Sequence, residues 1–178
     1  MARPPDPERR NRTLAKVADY VLENGLEGVS LRPLAAALGT STRMLLYDFG
    51  SKEALVDEAL EEIRRRLAGR LAELQAGRDQ AETLAEVWKW VRADQRVPFM
   101  RLFFETYVDA LQHPERGRPM VADWLEFLET RWQPKGLDPA TATLFVAVIR
   151  GLLLDRLTAP DPERTDEAMR VFAGMLKA

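Results

Sequence analysis

Hydrophobic residues recur along this chain at the three- and four-residue intervals that are typical of α-helices. The first stripe consists of Leu14, Val17, Ala18, Val21 and Leu22, and Asn24-Gly25 ends it. No long alternation of β-branched residues predicts a strand. The pattern therefore predicts an all-α protein with nine helices, at about residues 14–24, 31–38, 41–49, 52–77, 80–95, 98–111, 117–131, 139–157 and 161–177.

Helix length divides the chain into two parts. Up to residue 52 the predicted helices are short and separated by tight turns, and serines that can cap a helix stand at positions 30, 41 and 51. Beyond it the helices are longer and richer in aromatic residues. We expect a three-helix helix-turn-helix head over residues 1–52 and a larger C-terminal helical bundle over residues 53–178.

The two short helices around Gly39-Thr40 have the arrangement of a helix-turn-helix motif. In the second of them, Leu45 and Phe49 are one turn apart and can anchor the helix in the core. Another face carries Thr42, Arg43, Leu46 and Tyr47. Arginine reads guanine through two acceptors and apolar side chains contact the thymine methyl, so this face suits the DNA major groove. An ordinary helical hairpin in a bundle is the alternative.

Charge is distributed unevenly, although the whole chain has a formal net charge of -2. Residues 1–52 hold eight Lys or Arg and six Asp or Glu, which gives +2. The remaining 18 basic and 22 acidic residues give residues 53–178 a charge of -4. A basic head favours contact with a polyanion. Its N-terminal arginines form either a basic arm toward DNA or a disordered tail: Arg3, Arg9, Arg10 and Arg12.

Composition excludes several kinds of site. There is no cysteine, which excludes thiolate metal sites and a cysteine nucleophile, and a multi-histidine metal site or a conventional catalytic triad would have to depend on the single histidine, His113. We predict no metal, no cofactor and no enzymatic activity, although body carboxylates such as Asp94, Glu105 and Asp109 keep an acid–base enzyme open as an alternative. No secretory signal is visible, and the most apolar run is interrupted by Arg150 and too short to span a bilayer. We expect a cytoplasmic protein without membrane contact.

Four segments of the head combine into a specific signature. They are Arg12-Thr13 before an amphipathic helix, Asn24 to Arg32, Ala35 to Ser41, and Leu45 to Leu55. Together they resemble the N-terminal domain of the tetracycline-repressor (TetR) family over about residues 9–60. The resemblance implies a dimeric transcription regulator of nine or ten helices, usually a repressor that a small ligand releases from its operator. The candidate DNA-binding residues are then Ser30, Arg32, Ser41, Thr42, Arg43, Leu46, Tyr47 and Lys52.

Two positions depart from the family's pattern. The family usually has an aromatic residue against the phosphate backbone where this chain has Leu46, and a histidine where it has Asp48. A carboxylate at position 48 would repel a nearby phosphate unless it is paired or turned away. We expect Lys52 and the free amides that begin the fourth helix to hold a phosphate.

Aromatic residues cluster in the body between about residues 88 and 132. Such a cluster is by default plain core, but three helices that each contribute aromatics also line an apolar pocket. By family resemblance, a ligand cavity lies among the helices at 80–131, where an arginine can meet an anionic ligand. The candidate ligand-binding residues are Trp88, Arg92, Phe103, Tyr107, Trp124 and Phe127.

The predicted helix at 139–157 is apolar on several sides, so it must bury more than one face. We expect one face to pack within the chain and another to form a four-helix seam between two copies, together with the last helix. An internal helix of a monomer is the alternative. The candidate dimer-interface residues are Phe145, Val148, Ile149, Leu152, Leu153, Met169, Phe172 and Leu176.

These observations predict a homodimeric, ligand-responsive DNA-binding regulator, most often a repressor in the family it resembles. Its expected partners are double-stranded operator DNA with near-palindromic sequence, a small-molecule effector of unknown identity and a second copy of itself. Two alternatives remain at this point: a helical adaptor that binds partner proteins through the apolar seam, and the carboxylate-based enzyme.

Overall fold

The computed structural model describes residues 6–26, 28–75, 80–114, 139–159 and 161–175, and every regular element in them is helical. The elements are α1 (Pro7–Asn24), α2 (Leu31–Ala37), α3 (Thr42–Phe49), α4 (Lys52–Gln75), α5 (Gln80–Val91), a 3-10 turn (Asp94–Arg96), α6 (Val97–Gln112), α7 (Pro139–Thr158) and α8 (Pro162–Met175). The prediction of an all-α fold is confirmed. The seventh of the nine predicted helices, at 117–131, lies outside the described residues.

The chain forms two compact units, Met1–Leu67 and Ala68–Ala178. This division falls inside α4, whereas the sequence analysis separated head from body at residue 52. The first half of α4 belongs to the first unit because it buries Leu55, Ala59 and Ile63. In the parts of the chain that are described, no helix combines the length and the apolar character needed to cross a bilayer.

The core of the first unit collects one face from each of its helices. Val17, Ala18 and Val21 of α1 are fully buried, and so is Leu34 of α2. The three residues of α1 follow the helical spacing that predicted them, and each large apolar side chain stabilises the fold by about 1.5–3 kcal/mol when it is fully buried. The packed head is the platform on which α3 is held.

A cluster of charges joins α4 to α1 within the first unit. Arg66 donates hydrogen bonds to Asp19 Oδ1 (2.6 Å), to the Ala15 carbonyl oxygen (3.2 Å) and to Glu62 Oε1 (2.8 Å). Glu62 also accepts two hydrogen bonds from Arg65, both 2.9 Å long. The hydrogen bond from Arg65, followed by that from Arg66, lowers the pKa of Glu62 below its ordinary value.

α1 begins well before the hydrophobic stripe predicts. Asp6 is its N-cap, with the Oδ1 atom accepting a hydrogen bond from the Arg9 amide (3.1 Å), and a proline follows in the first turn. Arg9, Arg10 and Arg12 are therefore helical, so the alternative of a disordered tail is wrong for these three. Arg3 lies outside the described residues.

In the second unit, α7 packs against both α6 and α8, and α5 packs against α8. All four helices contribute to its core. The core includes Leu84, Trp88, Met100, Leu102, Phe145, Val146, Leu153 and Met169. Four of these were predicted as ligand or dimer contacts, so their positions bear directly on the sites described next.

Candidate nucleic-acid interface

α3 turns one side to the core and another to solvent. Leu45 is 1% exposed and Phe49 5%, as expected for anchoring residues. By contrast, Leu46 is 40% exposed and Tyr47 55%, and Arg43 is exposed as well. The helix therefore gathers the predicted outward face into one surface. This surface comprises Thr42, Arg43, Leu46 and Tyr47.

The turn before α3 is fixed by local hydrogen bonds. Gly39 has a φ of 66°, in the left-handed region that residues with a Cβ atom disfavour. The Thr40 amide donates to the Ala35 carbonyl oxygen at 2.9 Å. Ser41 Oγ accepts a hydrogen bond from the Met44 amide at 3.2 Å, which confirms Ser41 as the N-cap of α3. The start of α3 is thus set by backbone geometry and by the cap.

A buried ion pair ties the other end of α3 to α1. Arg9 Nη2 donates to Asp48 Oδ1 at 2.6 Å, and the Asp48 side chain is only 4% exposed. The hydrogen bond to Asp48 raises the pKa of the Arg9 guanidinium above its ordinary value. The carboxylate is therefore both paired and turned away from solvent. These are the two conditions under which it does not repel a phosphate.

Arg10 extends this contact to α4. Its Nε atom donates to the Asp48 carbonyl oxygen at 3.0 Å, and its Nη2 atom donates to both carboxylate oxygens of Glu58, at 2.6 and 2.8 Å. Its guanidinium carbon lies 4.5 Å from the centre of the Phe49 ring. Sequence reasoning missed these roles because the partners are 38 and 48 residues away.

The remaining head candidates lie at helix starts. Lys52 is the first residue of α4, where Ser51 Oγ accepts a hydrogen bond from the Ala54 amide at 3.0 Å. Ser30 precedes α2 and is exposed, but its side chain makes no capping hydrogen bond. Arg32 is exposed as well. Within the described part of the chain, Arg32, Arg43 and Lys52 have no ion-pair partner.

An open depression of about 180 Å³ adds a feature that the sequence analysis missed. Its walls are Arg9, Arg12, Thr13, Lys16, Leu38 and Thr40. Arg12 makes one long ion pair with Glu8 (3.6 Å), and both side chains are largely exposed. Lys16 is exposed one turn further along α1. Because Thr40 adjoins the cap of α3, this basic pocket, as we call the depression, opens beside the start of that helix.

In the second unit, two predicted ligand residues are bonded to Asp166 of α8. Trp88 is buried, and its Nε1 atom donates to Asp166 Oδ1 at 2.7 Å. Arg92 donates to the other carboxylate oxygen at 3.2 Å, and Arg156 approaches Oδ1 at 3.4 Å. This arrangement gives Trp88 and Arg92 a partner inside the protein, which residue spacing did not reveal.

The other described ligand candidates lie together on α6. The Phe103 and Tyr107 rings meet edge to face with their centres 5.0 Å apart, and the Phe104 ring lies 5.3 Å from that of Phe103. The guanidinium carbon of Arg150 on α7 lies 4.8 Å from the centre of the Tyr107 ring. The interruption of the apolar run was the only sequence signal for Arg150. Trp124 and Phe127 lie outside the described residues.

Most of the predicted dimer residues are buried or half-buried inside the second unit. Phe145, Leu153 and Met169 are buried there, and the Phe145 ring contacts the Phe172 ring at 5.4 Å. Val148, Ile149, Leu152 and Phe172 are half-buried, and Leu176 lies outside the described residues. The exposed apolar side chains of α7 and α8 are different ones: Leu144, Leu154, Val171 and Met175.

Comparison with known proteins agrees with this geometry. Residues 20–59 match the model of the bacterial regulatory proteins of the tetR family. No curated protein matches the chain. Among solved structures, a transcriptional regulator from Streptomyces coelicolor A3(2) is 28% identical, with a TM-score of 0.76 over 94% of this chain and 97% of that one.

Two further structures share the fold. A TetR-family regulator from Rhodococcus sp. is 21% identical, with a TM-score of 0.72 over 97% of this chain and 98% of its own. The multidrug binding protein EbrR, in complex with proflavin, is 26% identical, with a TM-score of 0.68 over 92% of this chain and 96% of its own. The head thus matches the tetR family of bacterial regulatory proteins over residues 20–59, and nearly the whole chain shares its fold with transcriptional regulators of solved structure.

Proposed function

We propose that this protein is a ligand-responsive repressor that binds near-palindromic operator DNA as a homodimer and leaves it when a small molecule binds. The observation that carries the proposal is the division of α3, with Leu45 and Phe49 in the core and the outward surface in solvent. Helices anchored in this way enter the DNA major groove in helix-turn-helix proteins. Operator DNA also implies a cytoplasmic location. Because members of this family are DNA-binding regulators, we set aside the carboxylate-based enzyme.

Within this proposal, Arg43 reads guanine, and Thr42 and Leu46 contact thymine methyl groups. Tyr47 and Ser41 contribute hydroxyls toward the DNA backbone. Phosphates are held by Ser30, Arg32 and Lys52, which lie at the starts of helices where free amides assist. All of these residues except half-buried Thr42 are exposed, which supports the assignment.

The basic pocket extends the proposed phosphate contacts. Arg12 and Lys16 are one helical turn apart on α1, and Thr40 stands across from them beside the start of α3. A phosphate in the pocket would meet two cations and a hydroxyl without displacing a strong internal bond, because the one ion pair that Arg12 makes among the described residues is long and exposed. Contacts on both flanks of α3 would fix its register in the groove.

For the homodimer, the burial pattern moves the proposed seam away from the buried residues of α7. The exposed side of α7 carries Leu144, Ala147, Gly151 and Leu154, and α8 adds Val171. A Cβ atom at position 151 would meet no other atom within 4 Å, so a second helix has room to approach there. Two copies joined in this way would place two α3 helices in successive major grooves, about 34–36 Å apart.

Ligand release is proposed for the second unit. α4 continues from the first unit into the second, so a change at its C-terminal half has a covalent route to the head. EbrR is a multidrug binding protein with complexes of proflavin, imidazole and malachite green, which supports a small-molecule role for this fold. A ligand shifts the equilibrium only by binding the DNA-free state more tightly.

Selection of bound sequences from a random duplex pool tests the proposal. We expect an inverted repeat whose half-sites are one helical turn apart, and fluorescence anisotropy should then show strongly salt-dependent binding. The variant Arg43→Ala serves as the reading control and should bind with reduced sequence preference. Failure to bind random duplex DNA even at low salt would overturn the regulator and favour the helical adaptor.

A further inference from the structure

Arg150 is a cation in an apolar part of the second unit. It lies on α7 between buried Phe145 and buried Leu153, and its guanidinium stacks over the ring of Tyr107 on α6. Its Nε and Nη2 atoms are shielded from solvent and have no hydrogen-bond partner in the described part of the chain. A cation–π contact occupies the face of the guanidinium and leaves the N–H groups at its edge without an acceptor.

Within the ranges that the structure describes, Arg150 has two shielded guanidinium nitrogens without a partner, Nε and Nη2, whereas Arg92 and Arg96 each have only Nε in that state. Arg66, Arg92 and Arg156 are also partly buried, and each of them pairs with an aspartate or glutamate. Among the described residues, no carboxylate pairs with Arg150, and burial lowers the pKa of its guanidinium. A buried charge without a partner is strongly unfavourable, so an anion that arrives from outside would gain a strong interaction there.

Tyr107 provides a second unused donor at the same place. Its hydroxyl oxygen is buried and has no hydrogen-bond partner. Burial raises the pKa of the hydroxyl, although the charge of Arg150 acts in the opposite direction. The hydroxyl therefore keeps its proton at neutral pH and can donate to an acceptor. Guanidinium and phenol donors together suit an oxygen anion better than any cation.

Aromatic rings flank this pair of donors. The Phe103 ring meets Tyr107 edge to face at 5.0 Å, and Phe104 continues the cluster. Aromatic clusters of this kind favour a planar aromatic group, which gains edge-to-face contacts in addition to apolar burial. The site thus favours a ligand that is anionic at one point and aromatic beside it.

We propose that Tyr107 and Arg150 bind the carboxylate of an aromatic acid, and that aromatic carboxylates are the effector class of this regulator. The second part rests on the proposed function, in which the second unit senses a small molecule. Proflavin, found in complex with the similar EbrR, is an aromatic cation and serves here as the probe of opposite charge.

Calorimetric titration of the full-length protein with 2-naphthoate tests the ligand class, with 2-naphthamide as the neutral counterpart of the same shape. We expect naphthoate to bind at least tenfold more tightly than naphthamide, because a hydrogen bond to a charged group typically strengthens binding about tenfold or more. Arg150→Met should lose this preference, and Tyr107→Phe should weaken naphthoate about tenfold. Arg156→Met is the matched control, since Arg156 pairs with Asp166 and should not affect the preference.

Thermal unfolding separates a binding role from a structural one. Removal of a charge without a partner should leave the melting temperature of Arg150→Met unchanged or higher, whereas Arg156→Met should melt lower. A marked fall for Arg150→Met would contradict the premise and overturn the proposal. So would equal affinity for naphthoate and naphthamide, tighter binding of proflavin than of naphthoate, or no naphthoate binding at millimolar concentration.

Operator anisotropy distinguishes this inference from the proposed function. Naphthoate that binds through Arg150 and releases the operator supports both. Naphthoate that binds through Arg150 without releasing the operator supports the carboxylate site and overturns its role as the effector site. If the unaltered protein binds naphthoate and naphthamide equally and still binds the operator, the ligand class is overturned and the proposed function is not.

Discussion

Two adjacent leucines in α3 give the sharpest test of how this helix is used. Leu45 is 1% exposed and Leu46 is 40% exposed, although they are neighbours in the same helix. The substitutions Leu45→Ala and Leu46→Ala remove the same atoms and change helix propensity equally. Any difference between the two variants therefore reports the environment of each side chain.

The expected magnitudes differ several-fold. Truncation of a fully buried leucine costs about 2–5 kcal/mol, because the transfer energy and the remaining cavity add together. We take about 3 kcal/mol for Leu45. Leu46 has much of its surface in water, so Leu46→Ala should change the free energy of unfolding by less than about 1 kcal/mol. If Leu46 contacts a thymine methyl, that variant should instead weaken operator binding roughly fivefold.

Hydrogen exchange of the α3 amides is the appropriate assay, since all four tryptophans lie beyond residue 87 and their fluorescence does not report on the head. Leu45→Ala should accelerate exchange of the most protected amides roughly 100-fold, and Leu46→Ala should leave it nearly unchanged. Equal destabilisation by the two substitutions would refute the anchored helix. Unchanged operator affinity in Leu46→Ala would remove Leu46 from the reading surface.

Four further predictions concern charge, assembly and pH. Arg43→Ala should reduce discrimination between operator and random DNA by about 1–3 kcal/mol, measured by competition anisotropy. Lys52→Ala and Lys16→Ala should each weaken all duplexes alike and lower the slope of log affinity against log salt by about 0.9. Gly151→Arg should convert the dimer to a monomer in sedimentation, because it places a charge on the proposed seam. Because the pKa of Glu62 is lowered in the folded protein, its ion pairs stabilise the fold at pH values above its ordinary pKa of 4.5, and this stabilisation is lost as the pH falls through the lower folded-state pKa. Glu62→Gln should therefore flatten the acid side of the profile of melting temperature against pH.

Three of these four predictions have a matched control or a contradicting outcome. Lys89→Ala, on an exposed position of α5, should leave the salt slope unchanged, and the same result for Lys16→Ala would exclude the basic pocket from DNA binding. Leu111→Arg changes an exposed position of α6 and should leave the dimer intact. A dimer that survives Gly151→Arg would place the seam elsewhere. Glu62→Gln with an unaltered acid profile would show that its ion pairs do not stabilise the fold.

The local features of the head follow from the sequence alone. The cap at Ser41, the turn at Gly39-Thr40 and the burial of Leu45 and Phe49 were all predicted, and all are present. They depend on neighbours within about four positions, where the geometry of a helix or a turn leaves few alternatives. The all-α fold was predictable for the same reason.

The long-range pairs were decided only by the tertiary structure. From the sequence, Asp48 was expected to repel a nearby phosphate unless it is paired, and the structure pairs it with Arg9, 39 residues away. Asp166 lies 78 residues from Trp88 and accepts a hydrogen bond from this tryptophan, which the family resemblance had placed in a ligand pocket. Spacing along a chain does not specify which remote groups meet.

α7 shows the same division between sequence and structure. Its apolar residues surround the helix, so the pattern indicated that more than one face is buried but not which face meets which neighbour. Packing against α6 and α8 selected Phe145 for the core and left Leu144 exposed, one position away. A helical period sets the angle between side chains, whereas only the arrangement of neighbouring helices sets the direction of the core.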